Sequence, residues 1–473
     1  MAVPGQRRAL IFTDSDQFMA AQILDMAKGS YRYCSDAGVW LWNPDGTVWE
    51  VFSGDASDTI IAAAVEKLPQ GTKAAKGTPL EDMTTEERNY ETHARLANSR
   101  SAAGIARKMK ALAPASGDVA TDMGRLDTDG SVIWAGGRPW DLLSPGRGLV
   151  VAERAVGAVH LKSSPYVPVL GPTPLWEQLT GAAFPLSDVG AWVEWELCSC
   201  CTTSNGKGLV HLHGVRDTAK TTVIRCIDDV LGSYSVQIPR PLLSGQQAHE
   251  GTVVRLAGAR LAWFDEKPRR GQVAQEFLKE LTGGGKFEAR PPFGRGSVSG
   301  QFAATVVLAS NDELPLSDGA LLGRVRRVPM IGDPKATRAA RNAIIGPDGQ
   351  FTAAWRAEAP AVLGKLITLC ARRMAGWTVE MPASAELELI TAAAEQDSAG
   401  LFIATMLEAV EADQGSLAGE LHTGYVNWCR DHNINGADVI GLVPFGKRLT
   451  AIFGDAKRTR RGSAYPCKTR QPS

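Results

Sequence analysis

The chain has 473 residues, 51 Lys and Arg set against 51 Asp and Glu, and 44% hydrophobic side chains. That balance allows a sizeable core and two or three domains, and the zero net charge gives no global sign of a polyanionic partner. No apolar run is long enough to span a bilayer, the opening Met-Ala-Val-Pro-Gly-Gln-Arg-Arg lacks an apolar signal core, and the eight cysteines form no disulfide framework. A cytoplasmic protein with no membrane partner is therefore expected.

In chain order, residues 1–140 read as an accessory module of mixed α and β structure. Tyr31 to Cys34, Gly38 to Asn43 and Thr47 to Phe52 alternate as short strands, with a turn at Asn43-Pro-Asp-Gly46. Gly71 to Pro79 is a linker candidate, and Thr84 to Leu112 is expected to be helical, capped by Thr84. Asp127-Thr-Asp129-Gly130 reads as a turn rather than a pair of metal-binding acids. Residues 141–205 form a linker and a helical segment, with a helix expected over Leu175 to Trp195. Cys198-Ser-Cys200-Cys201 lacks the paired spacing of a zinc site and is read as structural, as are His211 and His213, which fall on one side of a strand.

Residues 206–381 carry the chemistry. From Gly208 an apolar strand leads to a turn opened by Gly214, then to Lys220-Thr221-Thr222 and a helix reaching Leu231. Strand, turn, Lys-Thr and helix are the parts of a P-loop. In such a loop, backbone N–H groups cradle phosphates, a lysine reaches the β and γ oxygens, and a hydroxyl binds Mg²⁺. The phosphate-binding set is then Gly214, Val215, Arg216, Asp217, Thr218, Ala219, Lys220, Thr221 and Thr222. Ala219 stands where G-x-x-x-x-G-K-[ST] has its second glycine, and its methyl group is expected to crowd the phosphate path or to bar a positive φ. A surface Gly/Thr/Lys turn is the competing reading.

Three further segments favour the P-loop. Arg260 to Glu266 is an apolar strand ending in Asp265-Glu266, with one carboxylate for Mg²⁺ and one to orient water. Ala304 to Asn311 is a buried-type strand ending in an amide. Gly323-Arg324-Val325-Arg326-Arg327 is a basic cluster able to offer an arginine to a neighbouring subunit's nucleotide. Between the second and third strands lies Lys279-Glu-Leu-Thr-Gly-Gly-Gly-Lys-Phe-Glu-Ala-Arg290. Beyond the nucleotide domain, Pro360 to Trp377 and Glu386 to Val410 have helical spacing. In residues 385–473 a helix over Leu421 to His432 carries Tyr425, Trp428 and Cys429, and Phe445 to Phe453 is a candidate recognition helix. A basic tail, Lys447 to Arg470, suits a polyanion or simply solvates the end.

Together these segments resemble the superfamily-three helicases, and within them the phage and plasmid primase-helicase family. The resemblance rests on the P-loop, the strand ending in acid, the K-x-L-T-G-G-x-x-x-x-A-R element, the strand ending in Asn before Leu-Pro, and the following arginine, all between Gly214 and Arg324. Leu231-Gly-Ser-Tyr234 matches the usual end of the P-loop helix, and Tyr425-Val-Asn-Trp-Cys429 with Phe445 and Leu449 matches the C-terminal pattern, with Gly424 in place of its alanine. The resemblance implies an α/β fold: a P-loop AAA+ nucleotide-binding core, a small α+β N-terminal module and a C-terminal winged-helix-like domain. No primase catalytic module is evident.

The implied activity is ATP- and Mg²⁺-dependent unwinding by a ring, a homo-hexamer on single-stranded and forked DNA, with a separate primase or polymerase as a further partner. Lys220 would neutralise phosphate, Thr221 and Asp265 hold Mg²⁺, Glu266 orient water, Asn311 sense the γ-phosphate and Arg324 act in trans, with Arg326 as its substitute. A hairpin near Thr282 to Phe293, with a glycine-rich tip, would grip DNA through Lys286, Phe287 and Arg290. Two other readings are an ATP-binding, weakly hydrolysing scaffold at a replication origin and a regulator that binds DNA through its C-terminal domain.

Overall fold

The computed structural model describes every residue except 1–14, 28, 44–47, 54, 114–119, 122, 124–125, 156–157, 204–207, 215, 240–241, 243–249, 266–273, 291–295, 312–318, 384–397, 401, 404–405, 412–413, 432–438, 461 and 471–473. Glu266, Val215 and the centre of the expected turn at Asn43 to Gly46 therefore lie outside the described residues, as do residues 386–397 of an expected helix.

The N-terminal module contains α1 (Asp16–Met26), β1 (Tyr31–Cys34), β2 (Val39–Trp42), β3 (Glu50–Val51), α2 (Ser57–Glu66), α3 (Thr85–Ala97), α4 (Ser99–Leu112) and β4 (Ala120–Thr121). Its sheet runs β3-β2-β1-β4, and Met19, Ile23, Trp40, Ile60, Leu96, Ile105 and Met109 share one core under the helices. Thr84 caps α3 in a reciprocal pair with Glu87. The single helix expected over Thr84 to Leu112 is two, because extended Asn98 ends α3 while its side-chain oxygen accepts the Arg100 and Ser101 N–H groups and starts α4.

Next come β5 (Val132–Ala135) and β6 (Arg138–Asp141), an antiparallel pair, then α5 (Pro174–Ala183) and α6 (Ser187–Leu197). The helix expected from Leu175 to Trp195 divides at Phe184-Pro185-Leu186, since proline has no N–H to continue the ladder. The elements of the central α/β region are β7 (Leu209–His213), α7 (Lys220–Leu231), β8 (Ser235–Gln237), α8 (Glu250–Arg255), β9 (Leu261–Asp265), α9 (Gln275–Gly283), β10 (Lys286–Ala289), β11 (Val298–Gln301), β12 (Thr305–Ser310), α10 (Gly319–Leu322), β13 (Val325–Pro329), α11 (Pro334–Ile344) and α12 (Ala353–Met374). Five strands form one parallel sheet in the order β13-β7-β12-β9-β8.

Both faces of that sheet are buried, as parallel strands require. Val210, Leu212, Leu261, Trp263, Val307 and Ala309 face a core shared with α5, α6, α7, α12 and the β5–β6 pair. Leu209, Ala262, Phe264, Val306 and Leu308 alternate to the other face, against Leu278, Leu281 and Phe302. Helix α12 begins before the expected Pro360 and carries that proline inside it.

The C-terminal unit contains β14 (Leu407–Ala409), β15 (Ser416–Leu417), α13 (Ala418–Asp431), α14 (Leu442–Phe453), β16 (Lys457–Thr459), β17 (Gly462–Tyr465) and β18 (Cys467–Thr469). The end of the helix expected up to Val410 is a strand instead, since β14 pairs with β18. Tyr425 and Phe445 stack at 5.0 Å in a core with Phe402, Trp428, Leu449 and Tyr465. The basic tail is folded: β16 and β17 form a hairpin and β15 extends it, with Lys457, Arg458 and Arg460 exposed.

Candidate functional site

Strand register sets the frame of the site. Ser310 pairs level with His213, and Asp265 with Ala309, so the C-terminal ends of β7, β9 and β12 open on one edge of the sheet. The order in which strands are added reverses at β7: β8, β9 and β12 fill one side and β13 the other, and crevices at such switch points are where α/β sheets place ligands. The turn after His213 and the first turn of α7 lie on that edge.

Lys220 opens α7 and is 8% exposed; its Nζ donates to the Gly214 carbonyl at 2.8 Å and to Thr218 Oγ1 at 3.1 Å. Burial pushes its pKa below the ordinary lysine value, against an opposing pull from Asp217. Thr221 Oγ1 donates to Asp265 Oδ1 at 3.0 Å, bringing together the hydroxyl and the carboxylate expected to share a cation. The loop curls around this pair, with Asp217 at φ 65° and Ala219 at φ 64°, ψ 18°. The expectation that a methyl group bars positive φ is thus corrected: Ala219 adopts the left-handed conformation its glycine counterpart would take, at roughly 1–2 kcal/mol.

A cleft of about 460 Å³ lies over the loop, lined by Arg216, Asp217, Lys220, Thr221 and Asn311 from the expected set. Thr218, Ala219 and Thr222 also line it. Three residues not singled out from sequence, Thr337, Arg338 and Arg341, enter the same cleft from α11. Thr337 Oγ1 donates to the Asp217 carbonyl, and Arg338 pairs with the Asp217 carboxylate at 3.1 Å. Their signal was Thr-Arg-x-x-Arg across one helical turn after the last strand of the sheet, a pattern equally typical of a solvated helix face.

Below the cleft, His211 is buried with its Nε2 against Ser310 Oγ at 2.7 Å, and burial holds its pKa well below the ordinary histidine value. His211 and His213 lie on one side of β7, their rings 5.5 Å apart. Cys198, Cys200 and Cys201 are buried in a tight turn, and burial pushes their thiols up, Cys200 to about 12. Such thiols are inert packing groups.

Arg324 lies at the other end of the sheet, just before β13. Its Nη1 donates to the Lys279 carbonyl at 2.9 Å and to Thr282 Oγ1 at 3.3 Å, which places a cation on the C-terminal turn of α9. Arg326 is half-buried beside it, with a 3.4 Å contact to the Gly323 carbonyl, and Arg327 is buried, so the cluster is part of the sheet rather than a solvated patch.

The glycine-rich element does form a hairpin, β10–β11, with Lys286 opposite Gln301. Gly283, Gly284 and Gly285 lie at its base, where Gly284, at φ 73°, ends α9. Lys286 and Arg290 are exposed at the two ends of β10. Phe287, expected as a stacking surface for bases, instead packs on Phe302 at 4.9 Å. The far end of the hairpin rests on the N-terminal module, where the Gly296 N–H donates to the Ala37 carbonyl at 3.2 Å and Ala289 and Val298 share a core with Cys34, Val39, Leu41 and Trp49.

No protein-family model matches the chain, and no curated protein does. Among solved structures, the chain is similar to the A form of the apo C-terminal region of NrS-1, at 9% identity and a TM-score of 0.49, covering 93% of this chain and 88% of that one. A second A-form apo structure of that region gives 10% identity and a TM-score of 0.48, covering 95% and 99% of the two chains. A further apo structure gives 10% and 0.46, covering 94% and 88%. No helix among the described residues is long and apolar enough to cross a membrane.

Proposed function

We propose that the chain is an ATP-dependent DNA helicase or translocase of phage or plasmid replication, acting as a homo-hexameric ring on single-stranded and forked DNA. The observation that carries the reading is the meeting of Lys220, Thr221 and Asp265 at the open end of a five-stranded parallel sheet, under a strained loop and a cleft. In this reading Lys220 neutralises the β and γ phosphates. Thr221 and Asp265 supply hard oxygen donors of the kind Mg²⁺ takes, Glu266 orients water and Asn311 senses the γ-phosphate. Arg324 acts on a neighbouring subunit's nucleotide after leaving its bonds to α9. Lys286 and Arg290 contact DNA phosphates without reading sequence. The C-terminal unit, two helices followed by the basic β16–β17 hairpin, would serve as a winged helix, and priming would fall to a separate primase or polymerase.

ATP hydrolysis with and without single-stranded DNA tests the proposal. Lys220→Ala should lower turnover by about 100-fold or more, the scale on which a lost charge clamp acts, while the circular dichroism spectrum stays that of the parent. Parental turnover in the variant would discard the motor reading.

One structural detail favours a second reading, an ATP-binding scaffold that hydrolyses weakly. The loop carries a methyl group at a left-handed position and an acid, Asp217, in the cleft. That protein would bind ATP with parental dependence on Lys220 but show no stimulation by DNA.

A further inference from the structure

Most of the cleft is cationic or neutral, as a polyphosphate site should be: Arg216, Lys220, Arg338 and Arg341 line it beside Thr218, Thr221 and Asn311. Asp217 is the exception. An acid there repels phosphate, yet it is tied in from two sides by one helix. Its carbonyl accepts from Thr337 Oγ1, and its carboxylate pairs with Arg338 at 3.1 Å. Both charged side chains of the pair are more than half exposed, at 63% and 62%, so water and small anions reach them. Asp217 also bears on Lys220, whose charged form it favours.

We infer that Asp217 is an internal competitor for the phosphate subsite: its carboxylate and an incoming triphosphate contend for the same Arg338 guanidinium. Binding transfers Arg338 from carboxylate to phosphate, with Arg341, one helical turn along α11, completing the clamp. The exchange ties nucleotide arrival to α11 because the Thr337 bond holds loop and helix together while the ion pair changes partner. An exposed pair is a weak competitor, so the carboxylate trims affinity rather than blocking the site. This inference rests on the nucleotide-binding reading above and names the residues that set its affinity.

The experiment is equilibrium binding of a fluorescent, non-hydrolysable adenosine triphosphate analogue to the full chain. Asp217→Asn keeps the shape of the side chain, and asparagine tolerates the left-handed backbone at this position, so the fold should be retained. It should bind the analogue about two- to fivefold more tightly, the range an exposed ion pair accounts for, and Arg338→Ala and Arg341→Ala should each bind it more weakly than the parent. Unchanged or weaker binding by Asp217→Asn overturns the competitor role and makes the acid a structural tie of the loop. Parental binding by both arginine variants overturns the clamp. Lys220→Ala separates the two levels: a parent that binds the analogue only with Lys220 intact keeps the nucleotide reading whatever Asp217→Asn does. A parent that binds none, or binds equally without Lys220, removes reading and inference together.

Discussion

Ala219 shows at a single residue how backbone and chemistry compete. Its αL conformation places the start of α7 where Lys220 and Thr221 reach the cleft, and a glycine would take that conformation without the cost of a Cβ. Ala219→Gly should therefore tighten binding of an ATP analogue or raise turnover. Melting should move little, because relief of roughly 1–2 kcal/mol of strain is opposed by about 0.4–1 kcal/mol of added unfolded-chain freedom. A large loss of activity in this variant would mean the methyl group is a contact the loop needs. Lys220 and Thr221 were legible in the sequence from their spacing after Gly214 and an apolar strand, and Asp265 because it ends an apolar run. Arg338 and Arg341 were not, since only the reversal of the chain between β13 and α11 brings them to the cleft.

Elements were easier to find than to delimit. Apolar runs identified the sheet strands, but helical spacing ran straight through Asn98 and Pro185, whose effects are local: one supplies a cap, the other lacks a donor. Pro360 pointed the other way, since packing of Trp355, Ala359, Leu363 and Ile367 holds α12 together around it. The hairpin was visible as a glycine-rich insertion, while its docking surface, made by residues more than two hundred positions earlier, was not. Two variants test that element. A Cβ on Gly296 would come within 1.8 Å of the Asp36 carbonyl oxygen, a backbone atom that cannot rotate aside. Gly296→Ala should unseat the hairpin, so that hydrogen exchange of the β10 and β11 amides speeds up about tenfold or more while exchange in α7 is unchanged; protection equal to the parent's would refute the docking. If the proposed motor reading holds, Lys286→Ala, at the exposed base, should leave basal ATPase near the parental value and abolish stimulation by single-stranded DNA. Full stimulation would move the DNA contact to the basic β16–β17 hairpin.

For the molecule as a whole, one pair of charges sits where the units meet. Burial pushes the Asp127 carboxyl up to about 6, although bonds from the Leu161 and Lys162 N–H groups and the charges of Lys162 and Arg260 pull it down. Burial likewise pushes Lys162 down to about 8, with Asp127 opposing and Arg255 assisting. The folded chain holds the Asp127 proton more tightly than the unfolded one, so this group favours folding most below its ordinary value of 3.8 and loses that contribution as pH rises through about 6. Lys162 has the opposite sign: its contribution is present above 10.5 and is lost as pH falls through about 8. Asp127→Asn should thus gain on the parent as pH rises from 5 to 7, by about 1–2 °C in melting temperature. A difference between variant and parent that is the same at both pH values would show that the carboxyl does not titrate in this range.

The hairpin's seat on the N-terminal module also bears on where the chain can be cut. Cys34, Val39, Leu41 and Trp49 from one end, and Ala289 and Val298 from the middle, bury a single apolar surface. Likewise β5 and β6 donate Val132, Ile133, Trp134 and Trp140 to the core beneath α7. A chain shortened to begin near residue 141 would lose one partner of each contact, and the surfaces left bare would be greasy ones. Such a fragment should precipitate or recruit chaperones rather than fold as a smaller version of the chain. The early residues are thus not packaging ahead of the central sheet but one wall around it.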